Sequence, residues 1–86
     1  MQKSIKIEYR DGEEATYTAY PPDFVRWEKA SGKTISQFSG MWDILFITHS
    51  AGKRDQLIKE PFEVWMEKVV KVDMAEDNPK ATSAEV

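Results

Sequence analysis

The chain contains no cysteine and only one histidine, His49, among its 86 residues. Without cysteine no disulfide can form, and a single imidazole does not supply the Cys/His ligand set of a structural zinc site. A chain of this length is just large enough to be held together by one hydrophobic core. We therefore expect a single domain stabilised by packing alone, with no metal site and no cofactor.

Long apolar segments are also missing. No apolar run approaches the ~18 residues that a membrane-spanning helix needs. Residues 1–6 alternate polar with apolar side chains, which does not give the apolar core of a signal peptide. We therefore expect a protein of the cytoplasm that makes no membrane contact.

The charges show no basic excess. Lys and Arg number 12 against 15 Asp and Glu, which gives a net charge of -3. Residues 1–72 hold eleven charges of each sign, so the acidic excess falls entirely in residues 73–86. Because a neutral body lacks the basic face on which phosphate binding depends, the composition argues against nucleic acid as the partner.

Two segments near the N-terminus alternate polar with apolar residues and are separated by a turn sequence. This pattern predicts strands over residues 3–9 and 15–20, joined as a β-hairpin. A two-residue loop would set apolar side chains of one strand opposite polar ones of the other. A three-residue loop with Gly12 in the left-handed conformation instead pairs Ile7 with Ala15, and we predict that register.

Two helices are predicted to follow the hairpin. Two prolines end the second strand and suit a first helical turn, and Gly32 supplies a left-handed stop, so helix one covers about residues 21–31. Thr34 begins a T-x-x-Q sequence, which has the form of a capping box. We therefore predict helix two over residues 34–51, with Gly52 as its terminator.

A third helix and a loose tail complete the predicted architecture. Pro61 suits the start of a helix over about residues 61–72. From Asp73 onward the sequence is rich in Asp, Asn, Pro, Ser and Ala, a composition that cannot bury enough apolar surface to offset the cost of ordering. The fold class is therefore α+β, an N-terminal β-hairpin followed by three helices. Residues 1–73 form the domain and residues 74–86 a flexible acidic tail.

Helix two is predicted to be apolar on two faces. Its main stripe consists of Phe38, Met41, Trp42, Leu45 and His49. Because the three tryptophans of the chain fall one per helix on such stripes, we expect all three in the core, Trp42 and Trp65 included.

The second stripe lies on nearly the opposite side of helix two and consists of Gly40, Ile44, Ile47 and Ala51. Its small residues permit the close approach of another element, which is either the hairpin of the same domain or a neighbouring chain. These four residues are the candidate protein-contact residues.

No combination of residues typical of an active site is found. Catalysis needs titratable groups that converge, whereas His49 lies on an apolar stripe. The sequence has no G-x-S-x-G nucleophile elbow, and its Gly-Lys pairs follow predicted helices instead of forming a phosphate loop. We predict no catalytic residue and interpret His49 as a core or interface histidine; an enzyme would require a polar pocket around it.

The order of these features resembles the tail assembly chaperones of long-tailed bacteriophages. The resemblance rests on the hairpin, the PPDFVRWEK segment from Pro21, the apolar central helix, the PFEVWM segment from Pro61 and the short acidic tail, and it covers roughly residues 3–80. It implies a non-enzymatic protein of the host cytoplasm. Such chaperones bind the aggregation-prone tape measure protein and keep it soluble until the tail tube assembles around it, which makes the tail tube protein a further expected partner.

The resemblance also implies a longer form of the protein made by ribosomal frameshifting near the end of the reading frame. Self-association is expected as well, because many identical weak contacts coat a long client effectively. The alternative is a small DNA-binding or regulatory adaptor protein of phage or bacterial origin. A helix-turn-helix is disfavoured because the joint between helices two and three is long and helix three opens with apolar and acidic residues.

Overall fold

The computed structural model describes residues 2–76, which form one three-stranded antiparallel sheet and three α-helices. The elements follow in the order β1 (Lys3–Tyr9), β2 (Glu14–Ala19), α1 (Pro21–Ser31), a 3₁₀ turn (Ile35–Gln37), α2 (Met41–Arg54), α3 (Phe62–Met66) and β3 (Val69–Glu76). β1 is the central strand, with β2 and β3 on either side. The α+β class is confirmed, but the described residues end in a third strand instead of a long third helix.

None of the helices among these residues has the length and apolar character needed to cross a membrane.

The hairpin and α1 form as predicted. Ile7 pairs with Ala15, and Gly12 has a φ of 91° in the three-residue loop. This register keeps the apolar side chains of both strands on one face, against which the helices pack. α1 ends where Gly32 adopts a φ of 74° and its N–H bonds back to the last turn, which is the left-handed stop expected of glycine.

The predicted start of the second helix is wrong. The capping box at Thr34 is present, but it closes only the 3₁₀ turn, and α2 begins after Gly40. The carboxylate of Asp43 determines this start, because its Oδ2 accepts hydrogen bonds from the backbone N–H groups of Ser39 (3.1 Å) and Gly40 (2.9 Å). Gly40 is the N-cap residue of α2, and its N–H is one of the groups that a helix start leaves without an intrahelical partner.

Gly52 lies inside α2, which continues to Arg54, so it does not terminate the helix. A Cβ at this position would lie 2.2 Å from Cδ1 of Ile58, a distance that real atoms do not tolerate. The carbonyl oxygen of Gly52 accepts hydrogen bonds from the N–H groups of Leu57 (2.8 Å) and Ile58 (3.1 Å). The glycine therefore allows the following loop to fold back tightly against the helix.

The predicted third helix is correct only at its beginning. α3 ends at Met66, and the chain then forms β3, in which Val72 lies opposite Ile7 of β1. Valine-rich sequence packs well on a pleated sheet surface, and that preference wins here over continuation of the helix. β3 includes residues 74–76 of the predicted tail, and residues 77–86 lie outside the described residues.

The core lies between the sheet and the helices and draws residues from nearly every element. Its buried apolar residues are Ile5, Ile7, Tyr17, Ala19, Phe24, Trp27, Leu45, Ile47, Ala51, Ile58 and Trp65. Two of the three tryptophans are buried as predicted. The assignment of Trp42 to the core is wrong, because its side chain is 43 % exposed.

A buried carboxylate, Asp43, joins α1 to α2. It is 1 % exposed, and its Oδ1 accepts a hydrogen bond of 2.8 Å from the indole Nε1 of Trp27. Its Oδ2 accepts from Nζ of Lys33 at 3.2 Å, in addition to the two backbone N–H groups at the helix start. A buried charge is stable only when it is paired and hydrogen-bonded in this way.

A second buried carboxylate, Asp23, connects α1 to the other end of α2. It is fully buried and accepts hydrogen bonds from Oγ of Ser50 (2.7 Å) and the N–H of Tyr20 (2.9 Å). It also forms ion pairs with Arg26 (3.3 Å) and with Arg54. The two aspartates thus fix α2 against α1 at both ends, and with it the face that α2 turns toward the sheet.

The Asp43 contacts predict a pH dependence of stability. Burial alone would raise the pKa of Asp43, but the hydrogen bonds from Trp27, from the two backbone N–H groups and from Lys33 lower it from 3.8 to about 2. A carboxylate with a depressed pKa stabilises the fold above its unfolded pKa and loses that contribution as the pH falls through its folded pKa.

Between pH 4 and pH 2 the free energy of unfolding should therefore fall by roughly 2 kcal/mol more in the wild type than in Asp43→Asn, as measured by urea titration. Because both proteins contain the same other carboxylates, the difference between their pH curves reports on Asp43 alone. Parallel pH curves for the two proteins would contradict this assignment.

Candidate functional site

Four rings of α2 and α3 form a cluster at the surface, here called the aromatic patch: Trp42, Phe46, His49 and Phe62. The ring centroids of Trp42 and Phe46 lie 5.1 Å apart, and those of His49 and Phe62 lie 5.5 Å apart. Phe62, the first residue of α3, also contacts Trp42 with a centroid distance of 6.1 Å. The three α2 residues follow a spacing that places them on one side of the helix.

The aromatic patch is partly open to solvent. Trp42 is 43 % exposed and the adjacent Met41 is 58 % exposed, while Phe46 and Phe62 are partly buried. Large apolar side chains that are exposed together mark interaction sites more often than isolated exposed ones do. Tryptophan is also among the residues that contribute most to protein interfaces. The aromatic patch is therefore the candidate site for protein contact.

A groove of about 420 Å³ continues from the patch along α2. It is lined by Arg26, Phe46, His49, Ser50, Lys53 and Arg54. Two rings form its apolar wall, and three basic side chains surround its other end. Part of that positive charge is neutralised by the buried Asp23, which pairs with two of the three basic side chains. An apolar wall beside basic groups suits an amphipathic helix with acidic flanks.

His49 is held by packing and by the backbone. Its ring contacts Phe62 and Trp65 at centroid distances of 5.5 and 5.6 Å. Its Nε2 donates a hydrogen bond of 2.8 Å to the carbonyl oxygen of Glu60, which can only accept. The imidazole therefore positions the loop before α3 against α2, in agreement with a packing role for this histidine.

A second and larger cavity, about 550 Å³, lies between the hairpin and the loop that precedes α3. It is lined by Tyr9, Arg10, Asp11, Glu13, Glu14, Ala15, Tyr17, Leu57, Ile58, Glu60, Trp65 and Lys68. At its base the hydroxyls of Tyr9 and Tyr17 lie 2.5 Å apart, and Nε1 of Trp65 donates to the Tyr9 hydroxyl at 3.0 Å. Burial, together with the Tyr9 hydroxyl, raises the pKa of Tyr17 above its usual range.

Within residues 2–76, no group of three or more His, Asp or Glu side chains is arranged to hold a metal ion.

The four contact residues proposed from the sequence are separated by the fold. Ile47 and Ala51 are fully buried in the domain's own core, so a neighbouring chain cannot reach them in this fold. Ile44 is partly buried, and Gly40 is the exposed residue before the first turn of α2. For the two buried residues the intramolecular alternative applies, because α2 lies on the hairpin.

Sequence reasoning placed Trp42 and His49 on the main stripe of the second helix and assigned Trp42 to the core, but it did not single out Phe46. The available signal was that α2 is apolar on two opposite faces, while a domain of this size can cover only one of them with its sheet. The hydrogen-bonded group of Tyr9, Tyr17 and Trp65 was missed entirely. Its members come together only because Trp65 packs beneath the hairpin, and no local pattern indicates that contact.

Comparison with protein-family models, with curated proteins and with solved structures finds no significant match to this chain.

The different environments of two tryptophans lead to a stability prediction. Trp65 is 1 % exposed, and its truncation to alanine should cost roughly 3–5 kcal/mol. Trp42→Ala should cost only about 1–2 kcal/mol, because its ring is 43 % exposed and gains mainly from two ring contacts. Urea unfolding monitored by circular dichroism measures both values. Equal losses in the two variants would mean that Trp42 belongs to the core after all.

Proposed function

We propose that this protein is a non-enzymatic assembly chaperone for a bacteriophage tail, which binds the tape measure protein in the host cytoplasm and keeps it soluble until the tail tube assembles. The observation that carries the proposal is the exposed aromatic patch around Trp42. A small domain that leaves a tryptophan exposed beside two phenylalanines has a surface suited to hold apolar side chains of another protein. The sequence resemblance supplies the identity of that protein.

The geometry suits a helical client. The patch and the groove beside it run along one helix, which is how a helix-in-groove contact is arranged, with client side chains spaced three and four residues apart meeting the apolar wall. Lys53 and Arg26 stand at the basic end of the groove and can pair with acidic residues that flank the client's apolar stripe. Each contact is small, so a long client is best coated by many copies that act together.

The alternative function, a small DNA-binding or regulatory adaptor, is favoured by one observation. Three basic side chains lie beside aromatic rings in the groove, and aromatic rings with basic groups can also bind single-stranded nucleic acid. Against it, Arg26 and Arg54 both pair with the buried Asp23, which reduces the charge available to phosphates. Binding to an oligonucleotide that weakens steeply with added salt would identify this alternative.

The chaperone proposal is tested by co-expression with the very long helical protein that we expect to be encoded next to this gene. Wild-type protein should raise the soluble fraction of that client several-fold. Trp42→Ser should abolish the gain while the protein stays folded, because its side chain is 43 % exposed and its truncation should cost only about 1–2 kcal/mol. Val25→Ser is the matched control, since Val25 is 49 % exposed on α1 and is neither a ring of the patch nor a residue that lines the groove.

Circular dichroism melts of both variants establish that they are folded. A client that stays insoluble with the wild type, or one that both variants solubilise equally well, would contradict the proposal.

A further inference from the structure

The two edges of the sheet are unequal. On the β2 edge, the guanidinium of Arg54 donates a hydrogen bond of 3.0 Å to the carbonyl oxygen of Thr18. This contact occupies one of the outward backbone groups and sets a charged side chain against the strand, which is a common protection of an edge. On the other edge, within the part of the chain that the structure describes, no strand pairs with the outer side of β3.

The register identifies which backbone groups of β3 face outward. The N–H of Tyr9 bonds to the carbonyl of Glu13, so Ile7 of β1 also directs its backbone groups toward β2. The alternate residues of β1 then face β3 and pair with Lys71 and Asp73. Alternate residues of a strand direct their backbone groups to opposite sides, so Val72 and Met74 direct their N–H and C=O groups away from β1.

We propose that a second copy of this chain pairs with the outer edge of β3 in antiparallel orientation, centred on Val72. Val72 then lies opposite its own counterpart, and both copies use the outward backbone groups of residues 72 and 74. Lys71 of each copy lies opposite Asp73 of the other, on the solvent face of the sheet. Two three-stranded sheets become one six-stranded sheet.

The charges of β3 select this register over its neighbours. A shift by two residues in one direction places Lys71 opposite Lys71, and a shift in the other direction places Asp73 opposite Asp73. Directly opposed like charges destabilise a strand pair, whereas opposed unlike charges stabilise it. In the register centred on Val72, both cross-strand pairs carry opposite charges.

The charges also continue the pattern already present within one copy. On the solvent face Lys6 lies opposite Asp73, and Glu8 lies opposite Lys71. Across the proposed interface the row therefore reads Lys6, Asp73, Lys71 of the second copy and Glu8 of the second copy, with alternating sign throughout. Within one copy, each such row contains only one pair of opposite charges.

Apolar side chains match in the same register. Val72 meets its counterpart at the centre of this register, and Met74 lies two residues further along on the same face of the sheet. Val72 and Met74 are each only partly buried in the single chain. The second copy therefore covers apolar surface that one copy leaves accessible.

This inference uses β3 alone and does not rest on the proposed function, so a failure of client binding leaves it intact. The test uses two charge reversals, Lys71→Asp and Asp73→Lys. Each alone creates two like-charge pairs across the interface, in addition to one within each copy opposite Glu8 or Lys6, and should raise the dissociation constant about tenfold or more in sedimentation equilibrium. An equimolar mixture restores both opposite-charge pairs and should form a heterodimer with close to wild-type affinity.

Glu14→Lys is the control, because it reverses a charge on the solvent face at the β2 edge and should leave the wild-type dissociation constant unchanged. Wild type that stays monomeric at millimolar concentration overturns the proposal. Dimerisation that neither reversal weakens, or weakened variants that do not recover on mixing, overturns it equally.

A second measurement does not depend on the folding of the charge variants. Because the chain has no cysteine, an introduced thiol can only bond to the same position of another copy. Val72→Cys should give a disulfide-linked dimer on mild oxidation, since the proposed register brings this position next to itself. Thr16→Cys, at an exposed position of β2, should remain monomeric. Equal cross-linking of the two variants contradicts the register.

Discussion

The hydrogen bond between the indole of Trp27 and the carboxylate of Asp43 is the contact on which the arrangement of the helices depends. Asp43 is buried and also accepts the N–H groups at the start of α2, so one side chain fixes both the first residue and the rotation of that helix. Ile47, one turn further along, is turned into the core with it. Trp42 is rotated about 100° to the other side, and the aromatic patch faces solvent as a consequence.

The parts of the fold that could be predicted from the sequence are those determined by short-range chemistry. Gly12 sets the hairpin loop and Gly32 ends α1, each through a left-handed conformation that favours glycine. β3 could not be predicted in the same way. Its partner, β1, lies at the opposite end of the described sequence, and a run of valines fits a buried helix or a strand until that partner is known.

The candidate site also depends on contacts between distant residues and could be predicted even less completely. The sequence established that α2 has two apolar faces, but the choice between them depends on which one the hairpin covers. Ile47 and Ala51 proved to be the covered face, whereas Trp42 belongs to the face that remains open. Local hydrophobicity does not distinguish these outcomes, because the deciding contacts join residues that are far apart in the chain, such as Ser50 and Asp23.

A protein with an exposed aromatic surface and an open strand edge must avoid aggregation through that edge. The difference between the protected β2 edge and the open β3 edge can limit such aggregation. Pairing of two β3 strands about Val72 is a two-fold arrangement, so it uses the open edge of both copies at once and leaves only edges on which Arg54 already bonds to Thr18. In the proposed dimer, growth of the sheet would therefore stop at two copies, and Lys71 with Asp73 would disfavour the neighbouring registers. The aromatic patches of both copies lie on helices and take no part in the strand pairing.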